Sequence, residues 1–392
     1  MKKIKVIKIA HCSHSYFLGP GEKALKKLVL NDWYAKFSKQ IRKYNPEIEV
    51  ECWAPEKLDK KKSRFFDSDV KFRMFPTTFS PIYALDLSIP MLKELKKEIK
   101  KSKKQGYKLI IHIHEIHNLH GLLIATLFGK QNLIVQHHGG SWPLKHVRQT
   151  KRYKPFFPLF LMGQLWENLV LKKVKCFYAL SKDEMKYLKN VAPKSKVKFQ
   201  TMGIEEEYYN KTTKKQAREK LGLDQNKKML LFIGRINDIK GVGTLLEAMK
   251  SLRNINLKII GFGPQESKFK AFAKKNKLNN VEFLGGVFGE KKLLYLAAMD
   301  AFVLPSSKEG APVTVMEAMA RDRPSIVSNV GGVTLMIVNS KNGIIIRPRK
   351  PKDIVYATNT IVKKPIKNSR LYAERYRWKS IIKDTVEDYR SV

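Results

Sequence analysis

Two carboxylates lie eight positions apart in the segment from Leu304 to Gly332. Glu309 follows an apolar run that has the character of a strand, and Glu317 falls inside a helix that Pro312 can start. An acid in the loop before a helix and an acid inside that helix can hold two parts of one ligand. The same two carboxylates could also act as a general acid and a general base, so their spacing alone leaves both uses open.

Two cations lie five positions apart in the motif GRINDIKGVG, directly after the apolar run MLLFI. Arg235 and Lys240 therefore belong to a loop between a predicted strand and a predicted helix. Cations beside a helix N-terminus form an anion site, because the unpaired N–H groups and the helix dipole add to their charge. Gly234 and Gly241 let the backbone approach a ligand closely, and Gly263 follows the next strand in GFGP. A diphosphate fits this loop best, although an ordinary solvated basic loop has the same composition.

Strand-like and helix-like segments alternate along the chain, which is typical of parallel sheets joined by crossover helices. A length of 392 residues is long for one core. We therefore predict two doubly wound, Rossmann-like α/β domains facing each other across a cleft. The pattern breaks near residues 198–210, which sets the domains at 1–203 and 204–375, with a C-terminal helix at 376–392 that can pack back on the first domain. The predicted strands are Lys5–Ala10, Ile48–Trp53, Leu109–His114, Leu133–Gln136, Phe177–Leu180, Met229–Ile233, Leu257–Ile260, Val281–Leu284, Ala301–Leu304 and Ser325–Ser328, and the predicted helices are Ala24–Tyr44, Leu92–Lys104, Gly121–Phe128, Lys182–Asn190, Gly243–Arg253, Glu266–Lys275, Lys291–Ala298, Val313–Arg321 and Ser380–Tyr389.

The order of the glycine and acidic motifs in the second half resembles the nucleotide-sugar half of the GT-B glycosyltransferases. The motifs are GRINDIKGVG, GFGP, FLG, EGAPVTVMEAMA and the pair Gly331-Gly332. The closest match is the large retaining family 4. The resemblance covers about Met229 to Gly343 strongly and the first half loosely. It implies a GT-B fold in which the first domain binds the acceptor and the second binds a nucleotide-diphosphate sugar.

The resemblance also implies a role for each motif residue. Arg235 and Lys240 would hold the donor diphosphate, and Glu317 would accept hydrogen bonds from the ribose hydroxyls. A carboxylate suits a ribose diol, because it accepts hydrogen bonds without donating any. Glu309 and the backbone just after it would hold the donor sugar, which makes that segment a positioning device rather than an acid/base pair. The residues of that backbone segment are Gly310, Ala311, Pro312 and Val313.

Weaker matches lie in the first half. The sequence QHHGG follows a predicted strand and resembles the family loop whose histidine reaches the donor sugar, which assigns that role to His138. The segment SYFLGPGEKA resembles the glycine-rich first loop, with Gly19 and Gly21 near the phosphates. Some departures from the family pattern leave the donor's identity open: Asp322 replaces a usual glycine, Met202 and Glu205 replace a common asparagine and aspartate, and the first loop reads GPG.

Two other patterns could bind a metal ion. The triplet Asp67-Ser-Asp69 matches the DxD motif of GT-A enzymes, but we see no apolar strand leading into it. A histidine cluster borders the predicted strand at 109–114, where polar rings suit sugar hydroxyls at least as well as zinc. We therefore expect no metal and no cofactor, so that Arg235 and Lys240 must neutralise the leaving diphosphate. The histidine cluster comprises His112, His114, His117 and His120, with Glu115.

The formal net charge of +42 comes mostly from lysine. Such a field attracts anionic partners, although a lysine-rich proteome would give the same composition. The segment Lys151–Lys175 mixes aromatics, leucines and flanking lysines, a pattern that fits either a buried helix or a helix in an anionic membrane interface. The absence of a signal peptide, of a membrane span and of paired cysteines favours the cytoplasm, with the inner face of the membrane as a peripheral site.

We therefore expect a metal-independent, retaining glycosyltransferase of the hexosyltransferase type. Its donor would be a UDP- or GDP-sugar, and its acceptor a glycan or a lipid-linked saccharide of the cell envelope. Two alternatives are a nucleotide-sugar epimerase on the same fold and a basic nucleic-acid-binding protein. The second alternative lacks support, because the chain carries no RNA-recognition, KH or zinc-finger pattern.

Overall fold

The computed structural model describes residues 3–10, 22–57, 63–79, 86–138 and 157–392. The chain divides into two compact units. The first unit contains Met1–Met202 together with Ile381–Val392, and the second contains Gly203–Ser380. Each unit is built on one β-sheet with helices between successive strands, so the expected α/β class with two parallel-sheet domains is confirmed. None of the described helices is both long enough and apolar enough to cross a membrane.

The first unit has an eight-stranded sheet in the order β3-β4-β2-β1-β5-β6-β7-β8. All of its neighbouring strands are parallel except the β3–β4 hairpin. The central strands are buried on both faces, as expected where crossover helices cover a parallel sheet. The strands are β1 (Ile4–Ile9), β2 (Glu49–Glu56), β3 (Ser63–Asp67), β4 (Val70–Pro76), β5 (Lys108–His114), β6 (Asn132–Gln136), β7 (Cys176–Ala179) and β8 (Lys196–Phe199).

Four helices of the first unit follow described residues, and each begins at a short polar residue whose side chain accepts a backbone N–H. Ser181 accepts from the N–H of Glu184 in this way, which confirms the predicted start of that helix. The single helix predicted over Ala24–Tyr44 is wrong, because Asp32 interrupts it and caps a second helix. The helices are α1 (Glu22–Asn31), α2 (Trp33–Tyr44), α3 (Ile89–Gln105), α4 (Leu119–Phe128), α5 (Phe157–Leu171) and α6 (Lys182–Val191), and the C-terminal helix Trp378–Ser391 adds its last turns to this unit.

The second unit has a six-stranded, fully parallel sheet in the order β11-β10-β9-β12-β13-β14. Two of its strands, Ala301–Leu304 and Ser325–Ser328, have the predicted bounds. The strands are β9 (Lys228–Ile233), β10 (Ile255–Ile260), β11 (Val281–Gly285), β12 (Ala301–Leu304), β13 (Ser325–Ser328) and β14 (Gly343–Ile346). The α-helices are α7 (Lys214–Lys220), α8 (Val242–Met249), α9 (Glu266–Lys275), α10 (Gly289–Ala298), α11 (Val313–Ala320), α12 (Val333–Met336), α13 (Pro351–Lys363) and α14 (Ser369–Ala373), followed by α15 (Trp378–Ser391).

The DxD triplet lies at the β3–β4 hairpin. The strand β3 leads into the triplet. The sequence did not predict this strand, because β3 alternates between half-buried and exposed residues and lacks the apolar run of a central strand. Ser68 and Asp69 both have positive φ, as a tight hairpin turn requires. The Asp67 carboxylate is paired with Lys39. The triplet therefore forms the turn of the β3–β4 hairpin, and this structural role accounts for its two aspartates.

The C-terminal helix α15 is anchored to the first unit by one buried carboxylate. Asp388 accepts a hydrogen bond of 2.9 Å from the hydroxyl of Tyr178 on β7. It also forms ion pairs with Lys196 and Lys198 on β8. At the next position, the hydroxyl of Tyr389 lies 2.7 Å from Nδ1 of His112. The helix therefore completes the sheet face that β7 and β8 leave open.

Two lysines on β1 are buried in opposite ways. The ammonium of Lys5 lies 2.8 Å from Glu51 and 2.7 Å from Glu98, and although burial opposes it, these partners raise the pKa of Lys5. Lys8 is fully buried, and its ammonium lies over the ring of Phe37 at 3.9 Å. Among the described residues no hydrogen-bond acceptor reaches that ammonium, and burial lowers the pKa of Lys8 to about 7.

Replacing each lysine by methionine should have opposite effects on the free energy of unfolding. Between pH 7 and the ordinary lysine pKa of 10.5, the unfolded chain holds a proton on residue 8 that the folded chain gives up, so stability rises with pH in that window. Lys8→Met should therefore stabilise the protein at pH 7 and below by on the order of 2 kcal/mol, and flatten this pH dependence.

Lys5→Met is the matched variant on the same strand. It leaves buried carboxylates without their cation, and should destabilise the protein by about 3–5 kcal/mol. Urea unfolding at several pH values measures both variants. A Lys8→Met protein that is no more stable than the parent at pH 6 would contradict the assignment of Lys8 as an uncompensated buried base.

Candidate functional site

The second unit reverses its chain order between β9 and β12. The strands β10 and β11 follow β9 to one side, whereas β12, β13 and β14 extend to the other side. In open parallel sheets, the loops at the carboxyl ends of the two strands flanking such a reversal diverge and leave a crevice for a ligand. The loop after β9 carries Lys240, and the loop after β12 carries Glu309. The two strongest sequence motifs therefore meet at this reversal.

Lys240 and Glu309 are bonded across the reversal. The lysine ammonium lies 2.7 Å from Oε1 and 2.9 Å from Oε2 of the carboxylate. The hydroxyl of Ser306 donates to the same carboxylate at 2.6 Å, and the side chain of Glu309 is only 6% exposed. The side chain of Lys240 stays 27% exposed. The carboxylate is thus fixed in the protein, while the ammonium presents part of its surface to the crevice.

Two glycines next to this pair cannot be replaced without moving backbone. Gly241 has φ of +76°, and a Cβ at this position would lie 2.1 Å from the carbonyl oxygen of Pro305. Gly331 has φ of +55°, and a Cβ there would lie 1.9 Å from the carbonyl oxygen of Glu309. The conformations and the close approaches both require glycine. The glycine motifs therefore bring the loops after β9, β12 and β13 into backbone contact.

The loop after β9 also carries Arg235, which is exposed. The backbone on either side of it is held by the loop after β10: the Gly234 N–H donates to the carbonyl of Ile260 at 3.0 Å, and the Ile236 N–H donates to that of Phe262 at 2.8 Å. Gly263 packs against this backbone, because a Cβ there would lie 2.0 Å from the carbonyl oxygen of Ile236. The arginine therefore projects from a rigid backbone.

Helix α11 begins directly after the Glu309 loop. Pro312 precedes its first residue, Val313, as predicted. Gly310, Ala311 and Val313 carry N–H groups in this segment, whereas Pro312 has none to offer a ligand. The carbonyl of Gly310 accepts the N–H of Gly332 at 2.7 Å, which fixes the path of the loop.

Glu317 lies one turn further along α11 and is 5% exposed. Its carboxylate lies 2.8 Å from the ammonium of Lys292 on α10, which also donates to the hydroxyl of Tyr208 at 3.1 Å. Burial, together with Glu317, raises the pKa of Tyr208 above its ordinary value, so the phenol remains a donor. Sequence reasoning missed Lys292 and Tyr208, because neither belongs to a recognisable motif. The one sequence feature that could have indicated Lys292 is its position in the first turn of an amphipathic helix.

Asp322 ends the turn after α11 with φ of +57°. This left-handed conformation favours glycine, which is the residue that the resembled family usually has here. The Asp322 carboxylate accepts the N–H of Arg370 at 3.1 Å. An aspartate tolerates this conformation better than most residues, so the backbone path is kept despite the substitution.

His138 belongs to the first unit and follows β6. Its Nε2 lies 2.9 Å from Nδ1 of His114, and its backbone N–H donates to Glu115 at 3.2 Å. The ring of Trp33 meets the His138 ring edge-on, with centroids 4.4 Å apart. Its contact with a donor sugar stays a prediction. Gly19 and Gly21 lie outside the described residues.

The histidines grouped together by sequence separate into different contacts. His112 contacts Tyr389, whereas His117 enters a cluster of carboxylates. Although burial opposes it, Glu115 and Glu167 raise the pKa of His117 to about 9. Burial alone would raise the pKa of Glu115, but the neighbouring imidazoles lower it to about 2. Among the described residues His120 has no such partner, and burial lowers its pKa to about 4.

Part of the second unit matches a known protein family in sequence. Residues 213–378 match the family model described as glycosyl transferases group 1. An uncharacterized glycosyltransferase of Methanocaldococcus jannaschii is 32% identical over 185 residues, which cover 44% of this chain and 47% of the relative. The match therefore spans about half the length of that relative.

Solved structures resemble the whole chain. Sucrose-phosphate synthase from Thermosynechococcus elongatus superposes with a TM-score of 0.69 at 18% identity, covering 100% of this chain and 99% of that chain. HepE from Anabaena, solved in complex with UDP and glucose, gives a TM-score of 0.64 at 15% identity, covering 99% of this chain and 100% of that chain. The chain therefore shares its fold with these solved glycosyltransferase structures, and residues 213–378 match the model of the glycosyl transferases group 1 family.

Proposed function

We propose that this protein transfers a sugar from a nucleotide-diphosphate sugar to an acceptor hydroxyl, with retention of the anomeric configuration, as a member of family 4. The observation that carries the proposal is the bond from Lys240 to Glu309 across the chain reversal of the second sheet. It gathers a partly exposed cation, a fixed carboxylate and the start of helix α8 at one crevice. HepE, which has a similar fold, was solved with UDP and glucose.

The diphosphate would lie against Arg235, Lys240 and the N-terminus of α8. As the bond between the sugar C1 and the phosphate oxygen breaks, negative charge grows on the diphosphate. Two cations and oriented N–H groups stabilise that charge more in the transition state than in the ground state. The acceptor oxygen forms the new bond to C1, and its proton passes to the leaving phosphate oxygen. No resident metal is needed for this step.

The nucleoside would lie beside Glu317. A buried carboxylate that one lysine already orients keeps lone pairs for a ribose diol. Lys292 neutralises Glu317 in the absence of ligand and holds it in one rotamer, so the site is preorganised. The donor sugar would contact Glu309 and the N–H groups of Gly310, Ala311 and Val313. Both carboxylates then position the donor, and neither exchanges protons with it.

The acceptor is proposed to be a saccharide linked to a membrane lipid. Helix α5 carries an outward stripe of exposed apolar residues, whereas its inward face buries the polar Gln164 and Glu167. A surface helix of a soluble protein normally has the reverse arrangement. Exposed lysines follow the helix at positions 172, 173 and 175, which suits an anionic bilayer. The stripe consists of Leu161, Met162, Leu165 and Leu169, at 39%, 67%, 57% and 63% exposure.

Lys240→Ala and Glu317→Gln should each leave the fold intact and lower kcat/KM for transfer by about 10²–10³, the usual cost of losing one preorganised polar group. Arg347→Ala is the matched control, since Arg347 forms an exposed ion pair with Asp353 in the same unit. Turnover is measured with a panel of UDP- and GDP-sugars after a thermal-shift screen finds the donor. Unchanged turnover in both variants would refute the assignment of this site.

A Leu165→Ser/Leu169→Ser double variant should lose binding to vesicles of anionic phospholipid, because the apolar stripe would no longer enter the interface. Leu371→Ser is the control, because Leu371 is equally exposed but lies in the second unit, on α14. Vesicle flotation at low and high salt measures the effect. Equal flotation of parent and double variant would remove this support for a membrane-bound acceptor, without touching the donor site.

A further inference from the structure

A second cluster of chemically reactive side chains lies in the first unit, at the carboxyl ends of β5 and β6. Glu115 and His117 follow β5, and His137 follows β6. One carboxylate oxygen and one ring nitrogen from each histidine all lie within 4.8 Å of one another. The three side chains are at most 11% exposed. A fourth group, Glu184 on α6, is 10% exposed and lies 3.2 Å from Nδ1 of His137.

The distances between these atoms match the edges of a tetrahedron around a small cation. Oε1 of Glu115 lies 3.4 Å from Nε2 of His117 and 3.5 Å from Nδ1 of His137. Bonds of about 2.0–2.1 Å from zinc to nitrogen and oxygen place tetrahedral ligands about 3.3–3.4 Å apart. Glu184 lies 3.2 Å from Nδ1 of His137 but does not belong to the group whose ligand atoms all lie within 4.8 Å of one another, so it is a charged neighbour of His137 and not a ligand.

The surrounding groups orient the side chains of His117 and Glu115 as the partners of metal ligands do. Nδ1 of His117 lies 3.0 Å from the fully buried carboxylate of Glu167, which leaves Nε2 facing Glu115. Glu115 accepts two backbone N–H groups, from Ile116 and His138, one on each oxygen. Hydrogen bonds of this kind fix the tautomer and the direction of a ligand, and they recur around bound metals.

We propose that Glu115, His117 and His137 bind one divalent transition metal ion, with zinc as the best fit. Two imidazoles and one carboxylate in a buried arrangement suit tetrahedral zinc with one further ligand such as water, whereas calcium and magnesium prefer oxygen ligands in larger number. The ion neutralises a carboxylate that the fold has taken out of water.

The ion would hold the backbone at Glu115 in place. Its backbone has φ of +67°, which is uncommon for a glutamate and needs support from its surroundings. It also receives the N–H of His138, the histidine predicted to contact the donor sugar. An ion bonded to Glu115 and His137 would therefore fix the backbone from which His138 projects.

Metal analysis of the whole chain tests the proposal. Protein made without a histidine tag in zinc-supplemented medium should contain about one zinc per chain by mass spectrometry. Removing the ion with a strong chelator should lower the Tm, and adding zinc should restore it. Cobalt(II) added to the stripped protein should give the intense visible absorption of a tetrahedral site.

His117→Gln and His137→Gln should both lose the stoichiometric metal and the cobalt spectrum. His120→Gln is the matched control, because His120 is a buried histidine nearby that belongs to no carboxylate pair. The control should keep about one metal per chain. If a ligand variant does not fold, the parent protein still decides the question. Substoichiometric metal in parent protein, with no change in Tm on chelation and no cobalt spectrum, would overturn the proposal in favour of a metal-free network of ion pairs.

Discussion

The bond between Lys240 and Glu309 is the contact on which the candidate site of the second unit depends. It joins the loops that follow β9 and β12, which are neighbours in the sheet but lie 69 positions apart in the chain. Neither loop could hold its charged residue in place alone. Gly241 and Gly331 allow the two loops and the loop after β13 to touch, and Ser306 fixes the carboxylate. Once this bond exists, the remaining polar groups of the crevice face a defined space.

The fold of the second unit could be predicted from its sequence because its signals are local. The strand AFVL and the helix ESKFKAFAKK have apolar periodicities that match their final bounds. The donor-site residues could be predicted for the same reason, because glycines, cations and acids directly follow apolar strands. The strand order could not be read in this way, since β12 pairs with β9 across two intervening strands. That pairing is decided by burial of the whole sheet.

Other features depend on contacts that no short window contains. Lys292 becomes part of the site only because α10 packs where Glu317 faces it. The hairpin at Asp67 was missed as a strand, because an edge strand such as β3 needs no apolar run. Asp32 gave a capping signal that the long apolar period of the surrounding helix obscured. The three residues of the proposed metal site come from the loops after β5 and β6, and the sequence grouped Glu115 and His117 with other histidines but not with His137.

The last helix has a consequence for how the protein is made. Its final turns belong to the first unit, and Asp388 and Tyr389 fill positions beside Tyr178 and His112. A ribosome delivers these residues only after it has finished the entire second unit. During synthesis the first unit must therefore wait with Lys196 and Lys198 unpaired, while the second unit can fold first. The unit that is translated first is therefore completed last. Until α15 is made, the sheet face that this helix covers stays open and can be bound by chaperones.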